Sequence, residues 1–188
     1  MENLRRHIEE ITSIKDEEFE QIKPFFTTRK VLKNQYLIQQ GEEAKYEFLI
    51  LQGIFRVFYF DENGKEHIVQ FATKNWWMSD YIAYFNQKQA TMNVLCMEAG
   101  EVLCLTLEGR EKLAMTLPKM EHFFRVKLTN GYLSLQQRII SLLSSNPQQR
   151  YEEFANNYPN LIQKVPKKYI AEYLGVSRET LSRLYSGS

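Results

Sequence analysis

The chain has 188 residues, of which 44% are hydrophobic and 13% aromatic, and its formal net charge is +1. That composition supports one domain or two small ones, excludes wholesale disorder, and excludes a uniformly basic protein that coats nucleic acid without selection. Charge is nonetheless uneven: residues 1–20 hold seven acids against three bases, whereas 164–188 hold five bases against two acids. The N-terminal MENLRRHIEE lacks the apolar core of a signal peptide, and no run reaches membrane-spanning length. Two cysteines in a chain of this size read as a reduced, cytoplasmic protein with no membrane partner.

In chain order, Leu4, Ile8, Ile11 and Ile14 mark a short amphipathic helix, and Asp16 to Phe25 a second that ends near Pro24. From Arg29 to about Thr106, short runs rich in β-branched and aromatic residues alternate with turn signals. The predicted strands are Tyr36–Gln39, Tyr46–Gln52, Ile54–Phe60, Glu66–Phe71, Thr91–Met97 and Glu101–Thr106. Gly41 and Gly53 punctuate the first of these, and Asp61-Glu62-Asn63-Gly64-Lys65 reads as a hairpin loop. Many short strands with regular turns predict a double-sheet or closed β fold, a jelly roll or a barrel.

After Leu107 the period becomes helical. Leu117, Met120, Phe124, Leu128, Leu135, Ile139 and Leu142 keep a three-or-four spacing, with Pro118 tolerated in the first turn. One apolar stripe this long predicts a helix that packs partly on the β domain and pairs along the rest with its own copy. Gly131 inside it costs roughly 1 kcal/mol relative to Ala, which a close helix crossing would explain. Asn146-Pro147 ends the helix, Tyr151 to Tyr158 gives another, and Pro159-Asn160 a turn.

The most informative stretch is Val165 to Arg183. Ile170, Tyr173 and Leu174 form one apolar helix face beside Ala171, and Gly175 sits where the chain must turn through a left-handed conformation. Val176 plugs that turn and Ser177 is a good N-cap for a second helix. Leu181 and Leu184 point inward from it, leaving Arg178, Glu179, Ser182 and Arg183 outward. This is a helix-turn-helix, whose second helix enters the DNA major groove. A plain αα-hairpin has no need of two outward arginines and a glutamate. Arginine matches the two acceptors of guanine, and glutamate accepts from the cytosine amino group. Ser177, Thr180, Lys167 and Lys168 suit phosphate contacts, which position the protein without specifying sequence.

Ser177-Arg178-Glu179-Thr180 followed by Arg183 resembles the recognition helix of the Crp/Fnr family, the cyclic-AMP receptor protein and its relatives. The resemblance implies base readout by Arg178, Glu179 and Arg183. It also implies a jelly-roll sensor domain, to whose strand–glycine–strand pattern the stretch Gly41–Gly53–Gly64 is similar, and a central dimer helix that would pair through Met120, Phe124, Leu128, Leu135 and Ile139. The expected organisation is α+β: a jelly-roll sensor domain over 1–107, a dimerisation helix over 108–145 and a helix-turn-helix domain over 146–188.

In the family a cyclic nucleotide sits in a cassette opened by Gly-Glu, which holds the ribose, and closed by Arg-Ser or Arg-Thr, whose arginine neutralises the phosphate. Here the opening aligns with Ser79-Asp80 and the closing pair with Ala90-Thr91. Asp80 retains an acceptor for a ribose, but Ala90 cannot meet a phosphate. Losing a charge-assisted hydrogen bond to a buried anion costs about 1.5–3 kcal/mol. The cassette reads as degenerate, with Trp76, Trp77, Tyr81, Tyr84 and Phe85 lining or filling it, and with an unidentified small effector as the other option.

Other inputs are poorly supplied. Cys96 and Cys104 are too few for the four-cysteine iron–sulfur cluster of the family's oxygen sensors and read as buried, inert thiols. His7, His67 and His122 are scattered, so no haem or metal site, and no cofactor, is expected. No phosphate-cradling glycine loop or nucleophile motif points to an enzyme. The expected function is a homodimeric, sequence-specific regulator on a palindromic operator, with RNA polymerase a further partner if it activates. The alternatives are a nucleotide-gated regulator with a rebuilt phosphate site, or a protein-binding regulatory module. The family often adds a small β-wing after the recognition helix. Ser188 lies five residues past Arg183, so the wing is either lacking or cut off, and Gly187-Ser188 reads as a tail.

Overall fold

A computed structural model describes residues 1–186; the expected Gly187-Ser188 tail lies outside the described residues. Two short helices, α1 (Glu2–Glu9) and α2 (Asp16–Ile22), open the chain and run through a 3-10 turn (Lys23–Phe25) into the β region. Six strands follow: β1 (Thr27–Val31), β2 (Tyr36–Ile38), β3 (Tyr46–Phe60), β4 (Glu66–Ala72), β5 (Trp77–Met78) and β6 (Asn93–Thr106), with α3 (Tyr81–Asn86) between β5 and β6. The order is β1-β6-β3-β4, with β2 on β6 and β5 on β3. β6 runs antiparallel to β1, β2 and β3, and β5 antiparallel to β3, giving the jelly-roll-like sheet that the turn spacing predicts.

Two differences from the sequence reading have a common physical cause. The predicted strand pairs Tyr46–Gln52/Ile54–Phe60 and Thr91–Met97/Glu101–Thr106 are single long strands, β3 and β6, bent where their register slips between Ile50 and Phe55. Gly53 makes that bend. Its φ is +100°, and a Cβ there would lie 2.6 Å from the Glu98 carbonyl oxygen, a distance no side chain tolerates. A glycine inside a strand therefore marks a bulge where it had read as a break.

Along the helical side of the sheet, Leu4, Ile8, Phe19, Ile22, Leu49, Leu103, Leu105 and Leu113 are buried together with Met120, Phe123 and Phe124. The last three belong to α5 (Pro118–Ser144), which follows α4 (Leu107–Thr116). Full burial of a side chain of this size contributes about 1.5–3 kcal/mol, so this cluster ties the helices to the sheet. The predicted stripe is thus divided in use. Met120 and Phe124 are 0% and 4% exposed inside the chain's own core, whereas Leu128, Leu135 and Ile139 are 41%, 49% and 49% exposed.

After α5 come α6 (Pro147–Asn157), α7 (Pro159–Lys164), α8 (Lys167–Leu174) and α9 (Arg178–Ser186). Asn146 caps α6 reciprocally: its side chain accepts from the Gln149 amide while the Gln149 side chain accepts from its own, both at 3.0 Å. Packing divides the chain into two compact units, one formed by 1–59 and 70–129, the other by 60–69 and 130–186. The hairpin tip around Asp61–Lys65 therefore groups with the C-terminal helices. In that loop Asp61 accepts from the Asn63 and Lys65 amides and lies 2.8 Å from His67 Nε2.

Candidate nucleic-acid interface and ligand cassette

The hairpin α8–α9 is closed at its turn in the way its glycine implies. Gly175 has φ +66°, its amide donates to the Glu172 carbonyl, and the Val176 amide donates to the Ala171 carbonyl at 3.0 Å. These are the two bonds of a Schellman closure. Ser177 then starts α9, its Oγ accepting from the Thr180 amide at 3.1 Å. Ile170, Ala171, Leu174 and Leu181 are buried and hold the two helices together. Arg178, Glu179 and Arg183 are exposed on one helix, three side chains with unlike hydrogen-bonding chemistry offered to solvent. The Glu179 backbone amide and the Ser177 hydroxyl hold the Glu179 carboxyl below the usual carboxylate range, so it is an acceptor. Lys167 is exposed and Lys168 partly so at the start of α8, with the Lys168 ammonium 5.2 Å from the Tyr169 ring centroid. The Ser177 and Thr180 hydroxyls lie 3.1 Å apart and are already engaged in the cap.

Two arginines that composition did not single out orient this hairpin. Arg138, on α5, donates to the Ile68 and Val69 carbonyls of the β3–β4 hairpin and to the Tyr173 carbonyl at 3.1 Å, its guanidinium lying 4.0 Å over the Tyr173 ring. Arg150, on α6, donates to the Leu174 carbonyl at 2.9 Å and the Ser145 carbonyl at 2.6 Å. Both place a cation on the orphan carbonyls at the C-terminal end of α8, where the helix dipole is negative.

The cassette is built otherwise than a nucleotide site requires. Asp80 is 0% exposed and N-caps α3 through the Ala83 amide at 3.1 Å. Its other oxygen accepts from the Thr91 amide at 2.7 Å, and from the Thr91 hydroxyl and the Met92 amide at 3.0 Å each. Ser79 donates to the Tyr46 carbonyl at 2.9 Å. Ala90 is buried, its amide on the Glu42 carbonyl, and supplies no charge. Asp80, expected to face a ribose, is thus wholly engaged within the chain.

The aromatic residues separate into two groups. Tyr81, Tyr84 and Phe85 pack together along α3 with ring centroids 5.1–6.4 Å apart, Tyr81 stacked on Phe85 and Tyr84 edge-on to both. Trp77 does not line the cassette: its ring meets Phe26, Phe123 and Phe124, and its Nε1 donates to His7 Nε2 at 3.1 Å. His7, which looked isolated in sequence, is buried, and burial lowers its pKa to about 4. Burial also pushes the Cys96 and Cys104 thiols up to about 11, which leaves them unreactive. Behind α3, Arg110 donates to the buried Glu47 carboxylate at 2.6 Å and lies 4.1 Å over the Phe124 ring. A cleft of about 360 Å³ opens there between Phe85, Arg110, Phe124 and Leu128. Among the described residues no group of three or more His, Cys, Asp or Glu could hold a metal, and no helix is long and apolar enough to cross a membrane.

A jelly-roll-like sheet followed by a short helix, a long helix and a C-terminal helical hairpin together define a fold class, the one found in Crp/Fnr regulators. Residues 28–116 match the cyclic nucleotide-binding domain family. Regulatory protein HlyX of Actinobacillus pleuropneumoniae is 23% identical over 167 residues, covering 83% of this chain and 69% of the relative. Electron transport regulator A of Shewanella oneidensis is 23% identical over 181 residues, covering 89% and 71%. Among solved structures, the c-di-GMP responsive regulator CLP of Xanthomonas campestris superposes with a TM-score of 0.73 at 12% identity, covering 92% of this chain and 91% of that one. FixK2 of Bradyrhizobium japonicum gives 0.72 at 15%, covering 86% and 83%. The relatives and structural neighbours are Crp/Fnr regulators, and the fold is theirs.

Proposed function

We propose that this chain is a sequence-specific, DNA-binding transcription regulator that acts as a homodimer in the cytoplasm, and not an enzyme. The observation that carries the reading is the exposed set Arg178, Glu179 and Arg183 on a helix whose start is capped and whose turn is closed. On this reading Arg178, Glu179 and Arg183 read base edges, and Lys167, Lys168 and the Ser177–Thr180 end of α9 lie on phosphates. The organisation is a sensor domain over 1–107, a dimer helix over 108–145 and a DNA-binding domain over 146–188. Pairing uses the exposed part of α5, namely Leu128, Leu135 and Ile139 with Tyr132 and Leu143, and leaves Met120 and Phe124 in the protomer core. Gly131, where an added Cβ would meet nothing within 4 Å among the described residues, permits the close approach of a second helix.

The sensor domain does not take cyclic AMP on this reading, because Ala90 brings no cation and Asp80 is consumed internally. The decisive experiment is selection from a random duplex pool followed by titration across salt. A two-fold-related site should be enriched, with half-sites about one DNA turn, ~34 Å, apart, and affinity should fall steeply with salt. Failure to enrich any motif, or affinity indifferent to salt, would overturn the proposal in favour of a protein-binding module.

A further inference from the structure

Asp80 is a fully buried carboxylate, and the groups that hold it are backbone amides and one hydroxyl. Three donors converge on its Oδ2: the Thr91 amide at 2.7 Å, the Thr91 hydroxyl at 3.0 Å and the Met92 amide at 3.0 Å. Charge-assisted bonds to a carboxylate are short and strong, and successive amides aimed at one point make a concave anion site. The residues that flank the donors are fixed by bonds of their own. The Ala90 amide is fixed on the Glu42 carbonyl at 2.7 Å, the Gly41 amide on the Ala90 carbonyl at 2.8 Å, and the Gln40 amide on Asn93 Oδ1 at 3.0 Å. These bonds hold both ends of the loop through contacts in which Asp80 takes no part.

We propose that the loop through Thr91 and Met92 is an anion-binding site whose resident ligand is the Asp80 carboxylate, so that the sensor domain is held in its occupied arrangement by the chain itself. The consequence is an effector-independent sensor domain: a free phosphate finds its donors taken, and the tie between α3 and the start of β6 is permanent. The inference concerns the sensor domain only. Its test is read by thermal melting, so it stands or falls separately from DNA binding.

Asp80→Ala deletes a group about the size of formate and leaves the donors in place. The variant should melt roughly 5–15 °C below the wild type. Sodium formate at tens to hundreds of millimolar should restore at least half of that loss in a saturable way, and sodium chloride at equal ionic strength should not. Asp80→Asn fills the same volume with a neutral amide, and should be destabilised without responding to formate. The wild type should show no response to formate, inorganic phosphate or cyclic AMP beyond that to chloride. Loss of stability in Asp80→Ala with no formate-specific recovery would overturn the proposal, leaving Asp80 an ordinary helix cap. Stabilisation of the wild type by phosphate or cyclic AMP would overturn it equally, since the donors would then be open to an external anion. Should Asp80→Ala not fold in chloride, recovery of folded protein on refolding in formate supports the assignment and its absence refutes it.

Discussion

Arg110→Met strips the guanidinium from beside a carboxylate that is 1% exposed, while retaining an apolar stem against Phe124. In the wild type Arg110 Nη1 lies 2.6 Å from Glu47 Oε1, with the arginine side chain itself 11% exposed. Burial pushes the Glu47 carboxyl upward from its ordinary 4.5, and the Arg110 charge and hydrogen bond oppose that push. Removing one partner of a buried pair costs about 3–5 kcal/mol, because the remaining charge is left desolvated without compensation. The cost has a direction in pH. With Arg110 gone, the folded state holds the Glu47 proton more tightly than the unfolded chain does. The deficit is therefore full above the raised folded-state value, shrinks as pH falls from there toward 4.5, and is gone below it, where Glu47 is neutral in both states. Urea unfolding followed by tryptophan fluorescence at several pH values between 4 and 8 measures it, with Trp77 reporting from the adjoining core. Adding Glu47→Gln to Arg110→Met should recover at least ~2 kcal/mol, a coupling that contacting residues show and distant ones do not. A loss under ~1 kcal/mol, a deficit unchanged between pH 7.5 and 4, or no recovery by Gln would each show that the pair does not control this core.

Three further outcomes are expected. His7 titrates near 4 in the fold against 6.5 in the unfolded chain, so its contribution is complete above pH 6.5 and is lost as pH falls toward 4, by at most about 3 kcal/mol. His7→Gln, which keeps an acceptor for Trp77 Nε1, should flatten that part of the stability–pH curve; an unchanged slope would remove His7 as its source. Arg178→Ala and Arg183→Ala should each cost about 1–3 kcal/mol of discrimination between operator variants in competition binding, while Lys168→Ala weakens all sequences alike. Equal weakening of every sequence by both arginine variants would reassign them to phosphates. Ile139→Glu, at a position 49% exposed in the single chain, should yield monomers in sedimentation velocity with little change in helicity, and a persistent dimer would place the interface elsewhere.

The helix-turn-helix was legible in sequence because what specifies it is local. The αL turn at Gly175, the cap at Ser177 and the inward Leu174 and Leu181 all act within one or two helical turns of one another. The β-region was legible as a class for the same reason, since turn residues and β-branched runs report on their own neighbourhood. Continuity through the bulge at Gly53 was not, because a strand that bends and a strand that ends carry the same glycine.

What the tertiary structure alone decided lies between residues far apart in the chain. Glu47 meets Arg110 across 63 positions, and His7 meets Trp77 across 70. Arg138 is held by three backbone carbonyls, and a carbonyl belongs to every residue and so leaves no mark in the sequence. Asp80 shows the division most plainly. Sequence alignment could name it as the acceptor of the cassette, and Ala90 as the missing cation. Only the path of the loop that brings the Thr91 and Met92 amides onto one oxygen decided that the carboxylate is spent on its own chain. Local propensity sets which segments turn and coil; the partner of a buried charge is set by which segments the packed core brings together.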